Sequence, residues 1–320
     1  MKNVLGQNMK PLPDPVRIEC NGIELEVFTE GQGKPLLLCH GWPEHAYSWR
    51  HQWRALLDMG YQLIAPNQRG YGLSCCPKDV AAYDINQLTG DICALLDQFG
   101  HDKALLVGHD WGAIVAWNMA LLHPQRVSGL INFSVPLMRR GEKNWIDFWE
   151  EKLGPDFYMV HFSRRPGVAD AVFEAHTEQF LRNLYRTDSL TQNQANLSEG
   201  MFLINLAMAS HSSGNPIMQE HELQVFLQAF THTGFTPGLN WYRNMSRNWA
   251  ILADAPEQVH CPTLMIYGAR DMVPQDPKLS DKVPLLETAT VDCGHWIMQE
   301  KPAESTELMI NWLHQYYPSR

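Results

Sequence analysis

The fold is decided by residues 104–112, which read ALLVGHDWG. The apolar run at 104–107 is typical of a buried strand, and residues 113–120 favour a helix. A strand, a sharp turn and a helix in this order form the setting of a nucleophile elbow, Gly-x-Ser-x-Gly, whose central residue attacks the substrate. Asp110 occupies the serine position here. The flanking glycines suit such a turn, because the backbones approach closely and the central residue is strained.

An aspartate at the centre of this turn changes the available chemistry. A serine hydroxyl needs a base to become nucleophilic, whereas a carboxylate with an ordinary pKa of about 3.9 is already ionised at neutral pH. Asp110 could therefore attack a saturated carbon and form an alkyl ester of the enzyme. The motif is only moderately specific, since Gly-x-Asp-x-Gly also occurs in ordinary loops.

The composition is that of an ordinary globular enzyme: the chain has 320 residues, of which 45% are hydrophobic and 19% charged. A formal net charge of −10 argues against nucleic acid and an anionic membrane surface as partners. Residues 1–10 lack the apolar core of a signal peptide, and no stretch approaches the roughly 18 apolar residues that span a bilayer. The seven cysteines contain no Cys-x-x-Cys motif, which favours reduced thiols in a cytoplasmic protein.

Short apolar runs alternate with amphipathic stretches, which predicts a mostly parallel sheet with helices on both faces. A helix is predicted at 88–99, ending at Gly100. Buried strands are predicted at 36–39, 62–65, 104–107, 127–133, 263–268 and 286–291.

The pattern changes after Pro136, where aromatic, Met, His and Asn residues recur at helical spacing and buried-strand runs are missing. This predicts an α/β core in two parts, 1–136 and 255–320, interrupted by a helical cap at 137–254. A cap over the carboxyl ends of the strands would cover the usual ligand crevice of such a sheet.

Two further residues would complete a catalytic triad in the order nucleophile, acid, histidine. Asp271 follows the predicted strand 263–268, and His295 follows the strand 286–291. All three residues therefore belong to the same edge of the sheet. His295 could hold one ring nitrogen against Asp271 and turn the other towards Asp110. Each of these residues alone is more often structural, but their joint placement favours the triad.

A loop that stabilises an oxyanion is predicted at residues 40–44, which read HGWPE directly after the first buried strand. The backbone N–H of Trp42 would act together with that of Trp111, the residue after the nucleophile. A single donor of this kind contributes about 10²–10³ in rate. The Trp42–Pro43 bond is a candidate cis peptide. His40 is expected to be a structural hydrogen-bonding residue.

These motifs together resemble the α/β-hydrolase-fold epoxide hydrolases, from about Arg17 to the C-terminus. In that family two cap tyrosines bind the epoxide oxygen and protonate it. Tyr158, in DFYMVHF, resembles the first, and Tyr242, in LNWYRNM, resembles the second, whereas Tyr185 matches neither. Such general acids contribute about 10²–10⁴ in rate. The resemblance also implies that Trp42, Trp111 and the two tyrosines contact substrate.

The resemblance implies a two-step reaction. Asp110 attacks the less hindered epoxide carbon, and His295, oriented by Asp271, activates the water that hydrolyses the ester to a vicinal diol. No metal or organic cofactor is expected. The expected partners are a bulky, apolar epoxide and water, with no nucleic acid and no membrane, and a homodimer is left open.

Two alternatives use the same fold. A haloalkane or haloacid dehalogenase shares the aspartate chemistry but needs halide-binding donors, often including an Asn where this chain has Trp42. A ligand-binding protein without catalysis would need none of the five catalytic candidates.

The chain also departs from the family pattern. Asn67 stands where Asp is usual, and residues 163–165, SRR, form a longer and more basic segment before Pro166. Asn67 removes a charge that would organise the loop near Arg69, and the segment 163–165 is expected to alter the helical cap near Tyr158.

Overall fold

A computed structural model describes residues 11–187, 189–190 and 201–319. Residues 1–10, where no signal peptide is predicted, lie outside these ranges. The described strands are β1 Val16–Cys20, β2 Ile23–Glu30, β3 Pro35–Cys39, β4 Gln62–Asn67, β5 Ala104–His109, β6 Val127–Phe133, β7 Thr263–Gly268 and β8 Leu286–Val291. They form one sheet in the order β1-β2-β4-β3-β5-β6-β7-β8.

The sheet is mostly parallel, as predicted. Strands β3 to β8 pair in parallel, whereas β1 with β2, and β2 with β4, pair in antiparallel. The six predicted strands are confirmed, and β3, β4 and β5 extend one or two residues further. Their carboxyl ends meet at one edge of the sheet.

The hairpin of β1 and β2 is the part of the sheet that the prediction missed. Apolar and charged residues alternate along both strands, and several side chains are exposed, so the hairpin contains no continuous apolar run. The sequence feature that indicates this hairpin is its turn. Asn21 and Gly22 both have positive φ, +47° and +75°. A two-residue Asn-Gly turn between alternating strands is a strong hairpin indicator.

Helices cover both faces of the sheet and fill the interval between β6 and β7. The predicted helix at 88–99 is confirmed and begins three residues earlier, where the Asp84 side chain accepts a hydrogen bond from the Gln87 N–H. The described helices are α1 Arg50–Asp58, α2 Ile85–Gln98, α3 Trp111–Leu122, α4 Trp145–Leu153, α5 Tyr158–Arg164, α6 Val168–Ala175, α7 Thr177–Leu184, α8 Phe202–Met208, α9 Glu220–Thr233, α10 Thr236–Arg243, α11 Met245–Ile251, α12 Ile297–Glu300 and α13 Pro302–Tyr316.

The core has two layers because successive strand residues point to opposite faces. In β3, Leu37 faces the layer that contains α2 and α3, while Leu36 and Leu38 face the layer that contains α1 and α13. Strands β3, β5 and β7 are buried along their whole length, so the centre of the sheet gives a rigid platform to the loops at its carboxyl edge.

Helices α4 to α11, between β6 and β7, are here called the inserted helical segment. It contacts the loops that follow the early parallel strands: the Trp241 indole donates to the Arg69 carbonyl over 3.3 Å, and the Tyr185 hydroxyl donates to the Pro43 carbonyl over 2.8 Å. The segment therefore lies against the carboxyl edge of the sheet. Among the helices of the described ranges, none combines the length and apolar character needed to cross a bilayer.

Candidate active site

Asp110 lies at the sharp turn between β5 and α3, with φ of +52° and ψ of −119°. The neighbouring glycines are required by close backbone contacts. A Cβ on Gly112 would lie 2.1 Å from the Cys39 carbonyl oxygen, and one on Gly108 would lie 2.5 Å from the Gly112 carbonyl oxygen. The turn thus presses α3 against β3 and presents the Asp110 carboxylate at the sheet edge.

The Asp110 carboxylate is partly buried, with a side chain that is 16% exposed, and it is held by backbone donors. The Trp42 N–H donates to Oδ1 over 2.8 Å. Burial raises the pKa of Asp110 above its ordinary value, although the charges of His295 and His109 and the N–H groups of Trp42 and Trp111 all lower it. The donors predicted for an oxyanion therefore already face the carboxylate of the resting protein.

His295 lies between Asp271 and Asp110. His295 Nδ1 lies 3.0 and 3.1 Å from the two carboxylate oxygens of Asp271, and the Val273 N–H donates to Asp271 over 3.0 Å. His295 Nε2 points towards Asp110, 3.7 Å from Oδ2. Burial would lower the pKa of His295, but the carboxylates of Asp271 and Asp110 outweigh it and raise the pKa to about 9.

The loop at residues 40–44, here called the oxyanion loop, is a tight turn. The Glu44 N–H donates to the Gly41 carbonyl, and the Gly41 N–H donates to the Glu44 carboxylate over 2.9 Å. The Trp42–Pro43 bond is cis, which confirms that prediction. Burial lowers the pKa of His40 to about 4, and its Nε2 accepts a hydrogen bond from the Gln68 N–H, in agreement with a structural role.

A buried pair beneath the site was not predicted. His109 Nδ1 lies 2.6 Å from Glu44, and its Nε2 lies 2.9 Å from the His295 carbonyl oxygen. Both side chains are fully buried. Burial would raise the pKa of Glu44, but His109 and the Gly41 N–H lower it to about 2. The pair joins the oxyanion loop to the backbone of His295. Both residues lie inside the quoted motifs, but their pairing depends on tertiary proximity.

The inserted helical segment brings Tyr158 and Tyr242 together, with ring centroids 6.0 Å apart. Tyr158 begins α5, and Tyr242 lies near the end of α10, 5.0 Å from the Trp111 ring and 5.5 Å from the Trp42 ring. Burial raises the pKa of both phenols above the ordinary value, and the charge of Asp110 raises it further. Both side chains therefore carry a proton at neutral pH.

Asp110 lines two cavities of unequal size. A cavity of about 990 Å³ is lined by Asp110, Tyr158 and Tyr242 together with apolar side chains, and it reaches Phe148 and Leu153, which are 44% and 55% exposed. A second space of about 30 Å³ is lined by the same three residues, together with His295 and Trp42. That volume suits one or two water molecules.

The two departures from the family pattern have clear structural consequences. Asn67 accepts a hydrogen bond from the Ala46 N–H and donates to Glu26, while Arg69 pairs with Asp91 over 2.6 and 2.7 Å. The loop is thus ordered without a charge at position 67. Residues 163–165 turn their basic side chains outward: Arg164 pairs with Asp147 and Glu150, and Arg165 with Asp156.

No group of three or more His, Cys, Asp or Glu side chains within the described ranges could hold a metal ion. The candidate site consists of a carboxylate, an oriented imidazole, backbone donors and two phenols. Such groups can perform nucleophilic, general-base and general-acid chemistry.

Comparison with known proteins gives one family. Residues 34–302 match the family model described as the alpha/beta hydrolase fold. Epoxide hydrolase A of Mycobacterium tuberculosis is 37% identical over 311 residues, which cover 92% of this chain and 96% of that protein. Bifunctional epoxide hydrolase 2 of Sus scrofa is 34% identical over 91% of this chain, and the match spans only 53% of that longer protein.

Solved structures that are similar to this chain are epoxide hydrolases as well. The crystal structure of epoxide hydrolase A from Mycobacterium thermoresistibile has a TM-score of 0.88 and 36% sequence identity, and the match covers 95% of this chain and 98% of that one. An epoxide hydrolase from potato gives a TM-score of 0.83 at 29% identity over 94% of this chain.

Proposed function

The chain belongs to the epoxide hydrolases of the α/β-hydrolase fold, and from that premise we propose that Asp110 is the nucleophile of an epoxide-opening reaction. The resemblance inferred from the motifs is confirmed, and the protein is an epoxide hydrolase. The named relatives do not favour the dehalogenase or the ligand-binding alternative. The roles of individual residues are our proposal and follow from the site geometry.

Ring opening takes place on the side of the large cavity. Because Oδ1 of Asp110 accepts the Trp42 N–H, Oδ2 is the oxygen that attacks the less hindered epoxide carbon. The carbon–oxygen bond of the ring breaks, and Tyr158 or Tyr242 gives its proton to the departing oxygen. The products are a hydroxyalkyl ester of Asp110 and a tyrosinate.

Formation of the ester prepares His295 for the second step. Esterification removes the charge of Asp110, and the pKa of His295 falls because one of the three carboxylates that raise it is lost. His295 then returns a proton to the tyrosinate and becomes a neutral base. Its Nδ1 stays bound to Asp271, which fixes the ring orientation.

Hydrolysis takes place on the side of the small cavity. His295 Nε2 takes a proton from water, and the hydroxide oxygen attacks the Asp110 carboxyl carbon. The N–H groups of Trp42 and Trp111 hold the negative oxygen of the tetrahedral intermediate. The ester bond breaks, the diol oxygen takes the proton from His295, and the Asp110 carboxyl returns a proton to His295. Epoxide and water thereby give a vicinal diol.

One observation carries this proposal: the carboxylate of Asp110 lines both cavities, with the two phenols beside it in both and His295 in the smaller one. A single group can thus meet an epoxide in the large cavity and water in the small one. The apolar lining and the size of the large cavity favour a bulky, apolar epoxide.

A single turnover in ¹⁸O-labelled water tests the proposal. With excess enzyme over styrene oxide, we expect the label in the Asp110 carboxylate and unlabelled oxygen in the diol, as measured by mass spectrometry of the peptide and the product. Label that enters the diol directly and never reaches Asp110 would contradict the covalent route.

We further propose that residues 137–254 form a cap between core parts 1–136 and 255–320. Support comes from the helices between β6 and β7 and from the two phenols that they supply. A cytoplasmic location is supported by the seven free cysteines. A homodimer stays a prediction that analytical ultracentrifugation can test.

A further inference from the structure

A third tyrosine of the inserted helical segment reaches the oxyanion loop. Tyr185 follows α7 and is only 2% exposed. Its hydroxyl donates to the Pro43 carbonyl over 2.8 Å, and its ring packs on Trp296 and Phe226 with centroids 4.7 and 5.0 Å away. Burial and the charge of Glu44 raise the pKa of this phenol well above its ordinary value, so the hydroxyl stays a donor.

A second connection reaches the same loop through a chain of buried side chains. Glu222 of α9 accepts from Arg50 Nε over 2.7 Å, and Arg50 Nη1 donates to the Gln299 amide oxygen over 3.0 Å. Gln299 donates in turn to Glu44 over 3.2 Å, and Glu44 accepts the Gly41 N–H. The amide of Gln299 has one orientation only, because its oxygen faces a guanidinium and its nitrogen faces a carboxylate.

The two connections end on either side of the Trp42 N–H. One holds the carbonyl of Pro43, and the other holds the carboxylate that binds Gly41. We propose that Tyr185 and Glu222 are positioning residues, through which the inserted helical segment sets the place of the Trp42 N–H beside Asp110. This inference rests on the proposed function, in which that N–H stabilises the oxyanion.

The position of this donor matters more for hydrolysis than for ring opening. During ring opening the Trp42 N–H only orients a carboxylate that is already charged. During hydrolysis full negative charge develops on the oxygen that it binds, so the interaction strengthens in the transition state. Loosening the loop should therefore slow hydrolysis of the Asp110 ester and leave its formation nearly unchanged.

The test uses Tyr185→Phe, Glu222→Gln and the double variant. Rapid-quench mass spectrometry with styrene oxide measures formation and hydrolysis of the Asp110 ester separately. We expect each single variant to slow hydrolysis about two- to tenfold, which is the worth of one hydrogen bond. The double variant should slow it by more than the product of the two, because either connection alone still holds the loop. In all three variants the ester should accumulate and KM should fall with kcat.

Two matched control variants remove similar contacts elsewhere. Tyr83→Phe removes a hydroxyl that donates to the Pro77 carbonyl over 2.8 Å, and Arg126→Gln, just before β6, removes the ion pair with Asp97 at the opposite end of the sheet. Both should lower thermal stability and leave the rate of ester hydrolysis unchanged. Wild-type hydrolysis in the double variant, or equal slowing in the controls, would overturn the inference. If Glu222→Gln does not fold, the isosteric Tyr185→Phe decides alone.

The outcome also separates this inference from the proposed function. If wild-type protein forms no Asp110 ester at all, the proposed mechanism fails. If the ester forms and the Tyr185 and Glu222 variants hydrolyse it at the wild-type rate, only the positioning role fails.

Discussion

The carboxyl edge of the sheet and the inserted helical segment hold their functional groups in different ways. Asp110, which is partly buried, and His295, which is buried, are fixed by hydrogen bonds, from the Trp42 N–H in one case and to Asp271 in the other. Tyr158 and Tyr242 are placed mainly by aromatic packing: Tyr158 lies 4.8 Å from Phe157, and Tyr242 lies 5.0 Å from Trp111, with which its hydroxyl also forms a hydrogen bond.

This contrast corresponds to the two halves of the reaction. The sheet edge must stabilise charge at a fixed place, which favours a rigid platform with preorganised donors. The helices must enclose the substrate and deliver a proton. For this task, side chains that are positioned mainly by ring packing are sufficient. Substitutions in the two regions should therefore block different steps.

The largest effect is expected for His295→Gln. Without the base, the Asp110 ester forms but hydrolyses slowly, so kcat should fall by about 10⁴ or more. Intact-protein mass spectrometry should find the enzyme with the mass of the substrate added. His101→Gln is the control, because His101 binds Gln62 at the start of β4, far from the carboxyl edge. A variant that loses activity without any adduct would contradict the assignment of His295 to the second step.

The combined change Tyr158→Phe and Tyr242→Phe should block the first step instead. Loss of both phenols removes the proton donors to the epoxide oxygen, so the rate of ester formation should fall by about 10²–10⁴. Each single variant should keep part of the activity, because the other hydroxyl still faces the cavity. No adduct should accumulate in the double variant, in contrast to His295→Gln.

Full activity in the double tyrosine variant would remove both residues from the mechanism. An adduct that accumulates in that variant would assign the two tyrosines to ester hydrolysis. It would contradict the proposal that the two regions serve different steps. Tyr61→Phe serves as the control, since its hydroxyl binds the Tyr317 carbonyl away from the site.

The sheet edge was more predictable from the sequence than its surroundings. Strand runs such as 104–107 are apolar, short and bounded by turns, and parallel strands bring their carboxyl ends together. That rule alone placed Asp110, Asp271 and His295 at one edge, and the distances between them agree with it.

The contacts between regions were not predictable. Glu44 and His109 are 65 residues apart in sequence, and Glu222 is 172 residues from Arg50. The first pair depends on how two loops of the core meet at the sheet edge, and the second on how the inserted helical segment meets the core. No local pattern encodes either contact. Tyr185 matched no motif for the same reason. Its role depends on the Pro43 carbonyl, which is 142 residues away.

The smallest expected effect is on the free energy of unfolding. Its pH dependence should change on substitution at the sheet edge but not in the inserted helical segment. His295 has a pKa of about 9 in the folded protein and an ordinary value of 6.5. The folded state therefore binds the proton more tightly than the unfolded state does. The resulting contribution to the free energy of unfolding is fully present below pH 6.5. It is lost as pH rises through about 9, and the total is at most about 3 kcal/mol.

Urea unfolding at several pH values between 6 and 10 measures this loss as a fall in the free energy of unfolding. The fall should be smaller in His295→Gln, and in Asp271→Asn it should be smaller and end at lower pH, because that variant loses one of the carboxylates that raise the pKa of His295. Tyr158→Phe should not change the slope below pH 9, because the phenol is neutral in both states there. An identical slope in wild type and His295→Gln would mean that the sheet edge does not hold the imidazolium as the geometry requires.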